Sequence, residues 1–149
     1  MSSSRCGPPR MRDNVLDLTQ VRRALVIDDE GAVRGVLRRY LSRRGWMVEE
    51  APDGGAALEQ LRGRDDVAHG EAFDVIICDL RMPALSGQEL HAWALRHRPD
   101  LVNRLVFSSG DVQEEAAATF LEQCGRPVLA KPFELSRLEA ILASVVRQS

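Results

Sequence analysis

The chain is poor in cysteine, in single-sign charge, in long apolar runs and in glycine-rich loops, and each scarcity removes a class of function. Cys6, Cys78 and Cys124 make an odd count with no CxxC spacing, which argues against both a disulfide framework and a zinc site and suits a reducing cytosol. Cys78 falls inside an apolar run, where a thiol is a buried inert filler. The 20 basic and 22 acidic residues are interspersed and leave a net charge of -2, so there is no electrostatic case for nucleic acid as a partner. No apolar run approaches a membrane span, and no apolar stretch follows Arg5, Arg10 and Arg12 as it would in a targeting signal. The expectation is a soluble, cytoplasmic protein with no membrane partner. No internal repeat interrupts the order of elements.

What is present is enough for one domain. With 149 residues, 44% of them hydrophobic, the chain can bury a single substantial core. Residues 1–20 combine Ser, Gly, Pro and Arg without periodicity and read as a flexible leader or linker; residues 21–149 read as the folded unit. From Val21 onward, short β-rich runs alternate with helical periodicity five times, the pattern of a parallel sheet covered by helices on both faces.

The strands are expected at Ala24–Ile27, Met47–Ala51, Asp74–Cys78, Leu101–Ser108 and Val128–Ala130. The first helix carries the stripe Val33, Val36, Leu37, Tyr40 and Leu41 and closes at Gly45. The second is capped by Asp53 and buries Ala57, Leu58 and Leu61, and a polar surface loop spans 64–72. After a turn containing Pro83 and Gly87, the third shows Leu90, Trp93, Ala94 and His97 and stops before Pro99. The fourth presents Val112, Ala116, Phe120 and Cys124 and ends at Gly125; the last presents Leu135, Leu138, Ile141, Leu142 and Val145.

In an open parallel sheet, functional groups gather beyond the carboxyl ends of the strands. Here those ends carry Asp28, Asp29 and Glu30, then Asp79, then Ser108 and Ser109, then Lys131 and Pro132. Each has an ordinary explanation alone: a helix cap, a turn hydroxyl, a solvated charge. Together they put three carboxylates, a hydroxyl and an ammonium at one end of one sheet, where the carboxylates repel until a cation relieves them. Hard oxygen ligands with no soft donor nearby suit Mg²⁺, which keeps open positions for a phosphoryl oxygen. In-line phosphoryl transfer needs a nucleophile, charge neutralisation and oriented donors, which Asp79, Mg²⁺ with Lys131, and Ser109 could supply.

The segments LVIDDE (25–30), VIICDLRMP (75–83), LVFSSG (105–110) and AKPF (130–133) resemble the response-regulator receiver family of two-component phosphorelays over residues 23–147. Asp79 and Ser109 stand 30 positions apart, and Ser109 and Lys131 stand 22 apart, spacings ordinary for that family. The resemblance implies a single-domain doubly wound (βα)5 flavodoxin-like sandwich with sheet order 2-1-3-4-5. It implies that Asp79 is the phosphoacceptor, that Asp29 and Asp79 bind Mg²⁺ directly with the Arg81 backbone carbonyl, and that Asp28 holds metal-bound water. Ser109 then matches the switch hydroxyl and Lys131 the phosphoryl contact, with a cis bond to Pro132.

The implied donor is a sensor histidine kinase or a histidine phosphotransfer domain docking along the first helix around Val33 to Leu37. The output is a downstream protein of unspecified identity, reached through the surface of the fourth helix, fifth strand and fifth helix, with homodimerisation on phosphorylation. Such a domain is a signalling phosphoacceptor that catalyses only its own phosphorylation and dephosphorylation. The wording of VFSSGD is similar to receivers fused to histidine kinases. Val128 stands where the family carries an aromatic switch residue, and Ser109 where threonine is commoner. Two rivals stay open: a degenerate receiver-like interaction module that is not phosphorylated, and an enzyme on a flavodoxin-like fold. The second lacks a glycine-rich phosphate loop after strand one, and its nucleophile would lie on that strand.

Overall fold

The computed structural model describes residues 21–62, 73–82, 85–110 and 115–148. The leader 1–20, the loop 64–72, Pro83 and Val112 lie outside the described residues. The elements follow in the order β1 Arg23–Ile27, α1 Gly31–Arg43, β2 Met47–Ala51, α2 Gly54–Arg62, β3 Val75–Asp79 and α3 Gly87–His97. A single helical turn, Pro99–Val102, leads to β4 Leu105–Ser109, α4 Glu115–Cys124, β5 Val128–Ala130 and α5 Leu135–Gln148. All strand pairs are parallel and the order is β2-β1-β3-β4-β5, the doubly wound arrangement.

Strand side chains alternate between faces, so the central strands need apolar residues at every position. In β1, β3 and β4 one set, Leu25, Ile27, Ile76, Cys78, Leu105 and Phe107, packs with Ala57, Leu61, Leu90, Ala94 and Ala117 of α2, α3 and α4. The alternate set, Ala24, Val26, Val75, Ile77 and Val106, packs with Leu37, Tyr40 and Leu41 of α1 and Leu138, Ile141, Leu142 and Val145 of α5. Gly45 and Gly125 carry φ of +87° and +68°, the left-handed geometry that closes α1 and α4 where a side chain would be strained. The Asp53 carboxylate accepts from the Ala56 N–H at 2.8 Å at the start of α2.

Four expectations need correcting. The fourth strand begins at Leu105, because Pro99, whose fixed φ suits a first helical position, starts the turn Pro99–Val102 and Leu101 is buried there. The third strand is displaced by one residue, so Asp79 is its last member. In α4 the buried alanine is Ala117 and Ala116 is exposed. A strict step of four residues does not match a turn of about 3.6 residues, so Phe120 and Cys124 of the expected series pack inward while Ala116 does not, and Ala117 and Leu121 complete the inner face. Val36 and Leu135, assigned to core stripes, are 44% and 49% exposed.

The start of α3 decides how closely the end of β3 is held. Ser86 and Glu89 form a reciprocal capping box, and the Gly87 N–H bonds the Leu80 carbonyl at 3.1 Å. A Cβ at Gly87 would lie 2.9 Å from the Asp79 carbonyl oxygen and 3.1 Å from Leu80 Cα, backbone atoms with little room to yield. Gly87→Ala is expected to cost about 1–3 kcal/mol of stability, read as a lowered urea midpoint with an unchanged slope.

Candidate functional site

The alternation that sorts the core also sorts the strand ends. Asp28 follows Ile27, Asp79 ends β3, and Lys131 follows Ala130. Each continues the set that contains Val26, Ile77 and Leu129, the face toward α1 and α5. Register brings them abreast, since Ile27 pairs with Cys78 and Ser109 with Ala130. Ser109 continues the other set with Leu105 and Phe107, toward α4, and is 3% exposed.

The Lys131 ammonium lies 2.8 Å from Asp28 Oδ2, 3.1 Å from Asp79 Oδ2 and 3.5 Å from Glu30 Oε1. Carboxylate oxygens of Asp28, Asp29 and Asp79 lie within 4.8 Å of one another. The second oxygen of Asp28 accepts the Glu30 N–H at 2.9 Å, and that of Asp79 accepts the Arg81 N–H at 3.2 Å. The Lys131 N–H donates to the Ser109 carbonyl at 2.9 Å, which ties β5 to β4 beside the site, and the Lys131–Pro132 bond is cis.

Burial governs the charges. Desolvation raises the Asp79 carboxyl above its ordinary range, against the lowering effect of hydrogen bonds from Lys131 and the Arg81 N–H. Burial works against the Lys131 ammonium as well, but Asp28 and Asp79 outweigh it and push it up to about 12. Burial, reinforced by Asp79 and Asp28, pushes the Cys78 thiol far upward, which fits an inert filler rather than a reactive group.

Three hard carboxylates around one point, balanced by one ammonium, form a donor set that fits a divalent cation such as Mg²⁺ better than a soft one. Two contacts go beyond the residues singled out from the sequence as site members. The Arg34 guanidinium donates to the Asp28 carbonyl and, at 3.2 Å, to Glu50, bracing the end of β1 from α1. The Lys131–Glu30 contact joins residues at opposite ends of the chain, and only the adjacency of Glu30 to Asp28 and Asp29 could have pointed to it.

Residues 24–143 match the family described as the response regulator receiver domain. The chain belongs to the response-regulator receiver family. Among curated relatives, the receiver is 36% identical over 127 residues to response regulator MprA of Mycolicibacterium vanbaalenii, covering 85% of this chain and 51% of that protein. The chain spans about half the length of the curated relatives it matches. Among solved structures, the chemotaxis protein CheY4 of Vibrio cholerae aligns with a TM-score of 0.68 at 25% identity, over 84% of this chain and 98% of that one. The signal receiver domain of a histidine kinase from Syntrophus aciditrophicus aligns with a TM-score of 0.72 over 86% and 92%; at 21% identity it speaks to the fold alone. Among the described residues no helix is long and apolar enough to cross a membrane.

The charge balance of the receiver has a measurable consequence. A base whose pKa is raised by folding stabilises below its unfolded value, and Lys131 is in that position up to strongly alkaline pH. Its partner Asp79 carries charge only once pH has passed its own value, which burial raises. Lys131→Met is therefore expected to lose roughly 2–3 kcal/mol in metal-free buffer at pH 7, less than a fully buried pair because solvent reaches the site. The loss should shrink as pH falls through the Asp79 range, as measured by thermal melts from pH 7 to 4.

Proposed function

We propose that this receiver takes a phosphoryl group onto Asp79 from a partner's phosphohistidine in a Mg²⁺-dependent reaction within the cytoplasm. The observation that carries the reading is the Lys131 ammonium set between Asp28 and Asp79 with Asp29 alongside, in a chain of this family. Asp29 and Asp79 would hold the metal directly, the Arg81 carbonyl would complete the protein ligands and Asp28 would hold a metal-bound water. Bound Mg²⁺ would supply the positive charge that neutralises the transferring phosphoryl oxygens.

The Asp79 carboxylate oxygen attacks phosphorus in line, the new P–O bond forms as the P–N bond breaks, and the departing imidazole keeps the electron pair and is protonated. Lys131, already within hydrogen-bond distance of Asp79, would follow the negative charge from the carboxylate to the phosphoryl oxygens. Desolvation of Asp79 leaves its carboxylate with few competing water contacts.

The readout proposed for phosphorylation runs through Ser109. The added charge and acceptor oxygens would draw its hydroxyl and the loop after it, shifting α4 and the surface it shares with β5 and α5, where a downstream protein or a second receiver would bind. Val128, half-buried and aliphatic, offers no large ring for a rotamer switch, so the loop and α4 would carry the change.

The donor is proposed to dock in an apolar groove of about 620 Å³ between α1 and the β5–α5 connection, lined by Val33, Val36, Phe133 and Leu135, with Glu30 and Lys131 at its edge. Val36 and Leu135 are exposed there, whereas Leu37 is fully buried in the core and drops out of the docking surface.

Two experiments test these statements. With acetyl phosphate and Mg²⁺, labelling should map to Asp79, vanish in Asp79→Asn and cease on addition of EDTA; labelling of Asp79→Asn at the same site would refute the acceptor assignment. Val36→Glu with Leu135→Glu should slow transfer from a phosphorylated histidine domain more than ten-fold, as expected for loss of central apolar anchors, and leave labelling by acetyl phosphate unchanged. Equal slowing with both donors would place the docking surface elsewhere.

A further inference from the structure

Lys131 has three N–H donors and three carboxylate neighbours. Two of them are sealed in: the Asp28 and Asp79 side chains are 2% and 9% exposed, and their contacts are the shorter ones, at 2.8 and 3.1 Å. The third, Glu30, is 64% exposed and sits at 3.5 Å. Glu30 occupies the N-cap position of α1, yet its side chain makes no capping hydrogen bond and reaches toward Lys131 instead. It also lines the groove between α1 and the β5–α5 connection together with Lys131.

We propose that Glu30 is a positioning residue that holds one Lys131 N–H in reserve and gives it up when a phosphoryl group arrives on Asp79. The inference rests on the phosphoacceptor reading of Asp79. The donor now on Asp79 follows the charge onto the phosphoryl group, so any further contact to the phosphoryl oxygens has to come from the donors facing Asp28 or Glu30. Release from Asp28 would strand a buried charge, whereas release from Glu30 returns an exposed carboxylate to water at little cost. Glu30 is therefore the partner that competes with the phosphoryl group, and its reach sets how freely Lys131 moves.

Two substitutions separate this role from simple charge repulsion. Glu30→Ala removes both the acceptor and the charge. Glu30→Asp keeps the charge but is too short to hold Lys131, and at an N-cap it turns toward the N–H groups of α1. With acetyl phosphate and Mg²⁺, both variants should label at Asp79 roughly two- to five-fold faster than the wild type, the worth of an exposed ion pair expressed as a rate. Both should also bind beryllofluoride more tightly by a similar factor.

A gain in Glu30→Ala alone would mean that charge, not the hold on Lys131, is at work, and would overturn the proposal. No gain in either variant, or slower labelling, would overturn it equally. A wild type that is not labelled at Asp79 at all would refute the phosphoacceptor reading itself, a result distinct from any change between Glu30 variants.

Discussion

The mutual repulsion of carboxylates at the carboxyl end of the sheet is the constraint on which this receiver depends. Asp28 and Asp79 are almost wholly buried and would each prefer water. They are tolerated because the Lys131 ammonium lies between them and because backbone N–H groups of Glu30 and Arg81 take up their remaining oxygens. The site is thus balanced but not saturated. One ammonium faces three acids close enough to share a metal, and Asp29 is exposed on the open side.

The fold produces that balance through strand parity. Apolar residues at every position of Ala24–Ile27 in β1 and Val75–Cys78 in β3 commit both faces of the sheet to helices, so the first polar residue at each strand end has its direction set by the alternation. Asp28, Asp79 and Lys131 inherit the face covered by α1 and α5, and Ser109 inherits the face covered by α4. The proposed chemistry and the proposed readout are thereby divided between the two sides of one strand layer, one residue pair apart in register, since Asp79 pairs with Ser108. Gly87 permits the approach of α3 to the end of β3, and Arg34 braces the end of β1.

Much of this was legible in the sequence because apolar runs ending abruptly in Asp28, Asp79, Ser109 and Lys131 mark strand ends without reference to distant contacts. Sheet order, by contrast, came through the family resemblance rather than from periodicity. Leu101 and Val102 misled because two apolar residues beside a strand look like its continuation, although Pro99 two positions earlier is a helix-start signal. Ala116 and Val36 misled because evenly spaced apolar residues do not reveal which one has rotated off the buried face. The strand-end positions of Glu30 and Lys131 only hinted that they meet, and nothing in spacing pointed to the Arg34–Asp28 contact.

The strand-end acids of this receiver are proposed to converge on one site for a divalent cation. The most direct measurement is calorimetric titration of metal-free protein with Mg²⁺, in the wild type and in Asp29→Asn. The account predicts one Mg²⁺ per chain in the wild type and loss of most of that affinity in Asp29→Asn, with the fold unchanged by circular dichroism. Absence of binding to the wild type, or equal binding by both proteins, would contradict it.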